Sequence, residues 1–146
     1  TTAPAEEIDR RVSLRLKRQD LLNGPTPPQV WSVLDEGALR RPVGGPAVMR
    51  AQLERLVEMS KLRHVTIQVV PFSRGGHAAA GGSFTVLRFS EPEVPDVVYI
   101  EHLTSALYLD KHEDVEHYLE VMNHLSTEAL TPTHSAKFIT EIIRDT

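Results

Sequence analysis

Apolar residues recur along the chain with two periods, and the places where the period changes mark the elements. Between Ala5 and Leu22 they fall at Ile8, Val12 and Leu16, with Leu21 and Leu22 closing, while Arg10, Arg11, Arg15, Lys17 and Arg18 crowd between them. That spacing predicts an amphipathic helix with a basic face. The face is either solvated or a contact to a preceding segment or to nucleic acid. Asn23-Gly24-Pro25-Thr26-Pro27-Pro28 stops the helix, because glycine suits a helix C-terminus and proline cannot continue the ladder. Gln29 to Leu34 is a nearly continuous apolar run, which predicts a strand covered on both faces and puts Trp31 in the core. A turn-rich connection from Gly37 leads to Pro46, which suits the first turn of a helix running to about Ser60, with Met49, Leu53 and Leu56 in its buried stripe.

The β-runs Val65–Val70 and Phe84–Phe89 are rich in β-branched and aromatic residues and are joined through a glycine-containing loop, Pro71 to Gly82. Strand, helix and strand from Gln29 to Val70 form a βαβ unit, whose two strands should be parallel. Further strands are expected at Asp96–His102 and Ala106–Leu109. Asp110, with Glu113 three positions on, is the expected cap of a helix whose stripe includes Val115, Leu119, Met122 and Leu125. Thr131-Pro132 starts the last helix, with Phe138, Ile139, Ile142 and Ile143 as its stripe. The expected fold is α/β: a mixed β-sheet of about five strands with a βαβ unit, an antiparallel meander and a C-terminal helical hairpin, all in a single domain over residues 1–146.

Composition narrows the function. The 146 residues carry a net charge of -4 and no cysteine. An acidic balance lacks the footprint that neutralises phosphates, so this chain alone should not hold DNA. The missing cysteines remove disulfides and thiol chemistry, and no run approaches the roughly 20 apolar residues that span a bilayer. A cytoplasmic domain is expected. The first residues show neither a signal peptide nor an initiator Met, so the chain is expected to be cut from a longer protein.

Candidate chemistry gathers where the first two strands end. Glu36 follows the first strand, Arg40 and Arg41 precede the helix that begins near Gly45, and Arg74 and His77 lie on the loop after the second strand. With the first two strands parallel, Glu36 and Phe72 lie just past their carboxyl ends, and a hairpin and return strand should bring His77, Ser83 and Glu101 to the same edge. Open α/β sheets bind ligands at such an edge, and arginine forks favour a carboxylate or phosphate. The plainer reading pairs Arg40 and Arg41 with Glu36 or Asp35 as loop staples and leaves Glu101 as a strand end. Glu113, His117, Glu120 and His124 share one stripe of a helix opposite its apolar face, so they read as a solvated surface and not a metal site. No metal, cofactor or catalytic residue is expected. The alternatives are a small hydrolase or transferase using His77 with Glu36 or Glu101, and a pure protein-interaction module.

Several words of the sequence together resemble one family. They are Arg15-Leu16-Lys17-Arg18-Gln19-Asp20-Leu21-Leu22, Leu34-Asp35-Glu36-Gly37-Ala38-Leu39-Arg40-Arg41-Pro42-Val43-Gly44-Gly45, Gln52-Leu53-Glu54-Arg55-Leu56, Val65 to Phe72, Gly76-His77, Phe84 to Leu87 and Val98-Tyr99-Ile100-Glu101. The chain resembles the domain of unassigned function that follows an Xre-type helix-turn-helix in antitoxin-like bacterial transcriptional regulators. The resemblance implies a domain that senses a small-molecule signal or a small partner protein and forms a homodimer. DNA would be bound only through an N-terminal domain absent here. It marks Glu36, Arg40, Gln52, His77 and Glu101 as the family-like polar positions. Self-association is also expected, because the two C-terminal amphipathic helices carry Phe138, Ile139, Ile142 and Ile143 on a chain too short to hide every stripe.

Overall fold

A computed structural model describes residues 4–76 and 82–146. The element order is α1 (Ala5–Gln19), β1 (Val30–Asp35), α2 (Glu36–Arg40), α3 (Pro46–Ser60), β2 (Val65–Val70), β3 (Thr85–Leu87), β4 (Val97–Glu101), β5 (Ala106–Leu109), α4 (His112–Glu128) and α5 (Pro132–Arg144). Single 3-10 turns follow α1 at Asp20–Asn23 and β2 at Phe72–Arg74.

The βαβ unit is present. β1 and β2 pair in parallel from Val30 opposite Val65 to Asp35 opposite Val70, with α3 starting at Pro46 as the crossover. The chain enters α3 through Gly44 and Gly45, both at positive φ, where glycine carries no Cβ penalty. A side chain at Gly44 would also meet Val48 at 2.9 Å.

Among the described residues the five strands divide into two sheets, β1-β2 and β3-β4-β5, the second an antiparallel meander. The division has a local cause. A residue of a strand sends its N–H and C=O to the same side, and those of Val69 point away from β1. Its carbonyl accepts from Leu130 N at 2.8 Å and its N–H donates to Ser135 Oγ at 2.9 Å. The α4–α5 connection therefore occupies the edge of β2 that a third strand would need.

Leu39, Met49, Leu53, Val65, Ile67, Val69, Ile139 and Ile142 form the main core, so α2, α3 and α5 pack on β2. Val98 is buried in the centre of the second sheet. Outer and inner faces alternate along its strands, and the inner face meets α4, where the Phe84 and Tyr118 rings lie 5.0 Å apart.

Three sequence expectations need correction. Trp31 is 56% exposed, because β1 is an edge strand with one open face, and its indole N–H donates to Gln68 Oε1 at 2.7 Å. The segment after β1 begins with a short helix, α2, N-capped by Asp35, whose Oδ2 accepts from Gly37 N at 2.9 Å. The N-cap of α4 is Lys111 with no side-chain bond; Asp110 lies one position too early to serve. The apolar stripe of α5, expected to serve self-association, packs into this chain's own core, with Ile139 and Ile142 buried and Phe138 and Ile143 partly buried. Thr131 does cap α5 as expected, its Oγ1 accepting from His134 N at 3.2 Å.

α1 behaves differently from the other long helices. No residue of it is buried among the described residues, and Ile8, Val12 and Leu16 are between 46% and 57% exposed.

Candidate functional site

The parallel register sets the C-terminal ends of β1 and β2 side by side, and Glu36 is the first residue beyond β1. Its carboxylate is buried, at 7% exposure, and both oxygens are engaged. Oε1 accepts from the backbone N–H of Phe72, just past β2, at 2.8 Å. Oε2 accepts from Arg40 Nε at 2.6 Å, one helical turn on. The Arg40 guanidinium carbon in turn lies 6.0 Å from the centroid of the Phe138 ring on α5, within range of a cation–π contact. One carboxylate thus ties the end of β1 to the turn after β2 and orients an arginine toward the terminal helix.

Each oxygen of Glu36 accepts one hydrogen bond from a donor of this chain, one of them backbone. The loop-staple reading of Arg40 and Glu36 matches this geometry.

The other candidates are dispersed. Arg41 follows α2 and Arg74 closes the turn after β2, both exposed near the same strand ends in the chain. Gln52 is exposed on α3, beside buried Leu53. Glu101 ends β4 opposite Ala106 and is exposed. Among the described residues its strand belongs to the other sheet, so Glu101 and Glu36 do not share one sheet edge. His77 lies outside the described residues. Glu113, His117, Glu120 and His124 are all exposed, and no group of three or more metal-binding side chains occurs among the described residues. A groove of about 350 Å³ on α5, lined by Ala136, Lys137, Thr140, Glu141 and Arg144, touches none of the candidates.

A second polar cluster escaped the sequence reading. Gln68 is buried, accepts from Trp31 Nε1, and donates through Nε2 to Leu130 O at 3.0 Å and Ser126 O at 3.2 Å. Ser135, fully buried, accepts from Val69 N and donates to Leu130 O at 3.2 Å. These bonds lock the α4–α5 connection onto β2. A glutamine inside the β-branched run Val65–Val70 was the available signal, since a buried amide needs partners.

No helix among the described residues is long and apolar enough to cross a membrane. No curated protein and no solved structure matches the chain. A family model described as a domain of unknown function, DUF5753, matches residues 1–141, and the chain belongs to that family.

Proposed function

We propose that this domain is the dimerising and signal-sensing part of a helix-turn-helix transcriptional regulator of Xre type, acting through a small partner protein or a small ligand and not as an enzyme. The observation that carries the reading is α1. It is a 15-residue amphipathic helix whose apolar stripe has no partner among the described residues. An isolated helix of that length is marginal in water, and most helical stability in proteins comes from packing an apolar face. A stripe left open on a family-typical segment is what an association element presents.

Two further points agree with it. The words around Leu34–Gly45 and Val65–Phe72 resemble domains that accompany Xre-type DNA readers, and the net charge of -4 suits a domain that leaves DNA to another segment. The buried Glu36, bonded to Phe72 N and Arg40 Nε, supports a structural role for that end of the sheet. Sedimentation equilibrium across about 1–100 μM, the range in which micromolar dimers assemble, tests the reading. A concentration-dependent dimer is expected; a monomer throughout the range overturns the dimerisation part of the proposal.

A further inference from the structure

The second sheet has an outer face with no covering element among the described residues. Residues opposite one another across strands share a face, so Thr85, Tyr99 and Tyr108 form one outward row and Leu87 with Val97 the next. Tyr108 is 68% and Leu87 41% exposed, and the Tyr99 and Tyr108 rings pack at 5.1 Å, giving the face a rigid aromatic centre. The face is apolar, and so is the stripe of α1; each lacks what the other offers.

Their charges are opposite. α1 opens with Glu6, Glu7 and Asp9, but its C-terminal part from Arg10 to Arg18 holds five basic residues, Arg11 paired with Glu7, and no carboxylate; from Glu91 to Asp110 the sequence holds five carboxylates and no Lys or Arg, with Lys111 next in the chain. Of those five, Asp96 is engaged by Arg88 at 3.1 Å, while Glu91, Glu93, Glu101 and Asp110 are exposed. By the strand register, Glu101 lies at one end of the outer face and Asp110 at the other. The lengths also fit. The stripe from Ile8 to Leu16 runs about 12 Å at the rise of an α-helix. Crossing from β3 to β5 spans about 10 Å.

We propose that α1 of one copy lies across the outer face of the β3-β4-β5 sheet of a second copy, and that the second copy returns the contact, forming a two-fold dimer. The proposal rests on the dimerisation reading above and names its surfaces. A second copy is the occupant because one chain carries both open surfaces with matching charge, and a two-fold axis closes both at once. Two such contacts bury on the order of 800–1,000 Å², below the roughly 1,200–2,000 Å² of stable specific interfaces, so the dimer is a weak, concentration-dependent one.

The test uses the whole chain. In sedimentation, Leu16→Glu on α1 and, separately, Tyr108→Glu or Leu87→Glu on the sheet should each weaken the dimer at least about tenfold, since each buries an unpaired charge in the contact. Val43→Glu, exposed on the connection between α2 and α3, should leave it unchanged. Far-UV circular dichroism verifies that the variants stay folded. A photo-crosslinking benzophenone residue in place of Leu16, in a mixture of isotope-labelled and unlabelled protein, should join one copy to β3–β5 of another. Crosslinks confined to one chain would show α1 folding back on its own sheet, and crosslinks between two α1 helices would show a different dimer; either overturns the proposal. A dimer unaffected by the sheet variants also overturns it while leaving dimerisation standing, and a monomeric wild type removes both.

Discussion

Replacing Glu36 with alanine should reveal that this carboxylate acts as a structural tie. The change leaves the Phe72 N–H without its acceptor and Arg40 without its partner. A hydrogen bond to a charged group contributes about 1.5–3 kcal/mol, and the Phe72 bond is part-buried, so most of that value applies. The Arg40 pair is discounted, because 41% of the arginine side chain is exposed and solvent screens it to about 0.5–1 kcal/mol. The expected loss for Glu36→Ala is about 2–4 kcal/mol, a large share of the ~5–15 kcal/mol that holds an ordinary domain. In urea unfolding followed by circular dichroism, the midpoint should fall by about 1–2 M at an unchanged slope. Glu36→Gln keeps an acceptor for Phe72 and should lose only about 1 kcal/mol. Arg40→Ala should cost about 0.5–1.5 kcal/mol, and in a double-mutant cycle its effect should shrink once Glu36 is alanine. A Glu36→Ala protein within about 0.5 kcal/mol of wild type, the usual range of an inert surface change, would refute the staple.

Ser135→Ala should cost about 1–3 kcal/mol, because it strands the buried N–H of Val69, and amide exchange at Val69 should accelerate. Gly44→Ala should cost about 1–2 kcal/mol in the same urea assay, since a Cβ there combines positive φ with a 2.9 Å approach to Val48. In gel shifts at physiological salt the chain alone should show no sequence-selective DNA binding, given its net charge of -4; a selective shift would contradict the assignment of DNA reading to another segment.

The elements with strong periodicity were legible in the sequence. Pro46 and Thr131-Pro132 mark helix starts with a fixed φ and a side-chain cap, and both starts stand where expected. The parallel pairing of β1 and β2 followed from the intervening helix. What the sequence did not reveal was which strand edges meet. A run such as Val65–Val70 reads equally well in the middle of a five-stranded sheet or beside a connection that caps its edge. The choice depends on Ser135 and Leu130, over sixty residues away, reaching Val69. The same long-range dependence decides how Glu101, which ends a strand of one sheet, stands to Glu36, which follows a strand of the other. Their juxtaposition required one sheet, whereas Glu36 and Arg40, four residues apart on a helical turn, met by local geometry alone. Exposure was likewise hidden: the stripes of α1 and α5 look alike in sequence, but α5 finds β2 and α3 to cover it and α1 finds nothing among the described residues.

The most direct test of α1 as the association element is amide hydrogen exchange of residues 8–16 measured as a function of protein concentration. An unpartnered 15-residue helix opens readily, whereas one packed on a second copy exchanges only after dissociation. Protection in α1 should rise as the concentration passes from about 1 to 100 μM, while Val69 and Leu53 in the core stay protected throughout. Fast exchange in α1 at every concentration, or protection independent of concentration, would contradict the account.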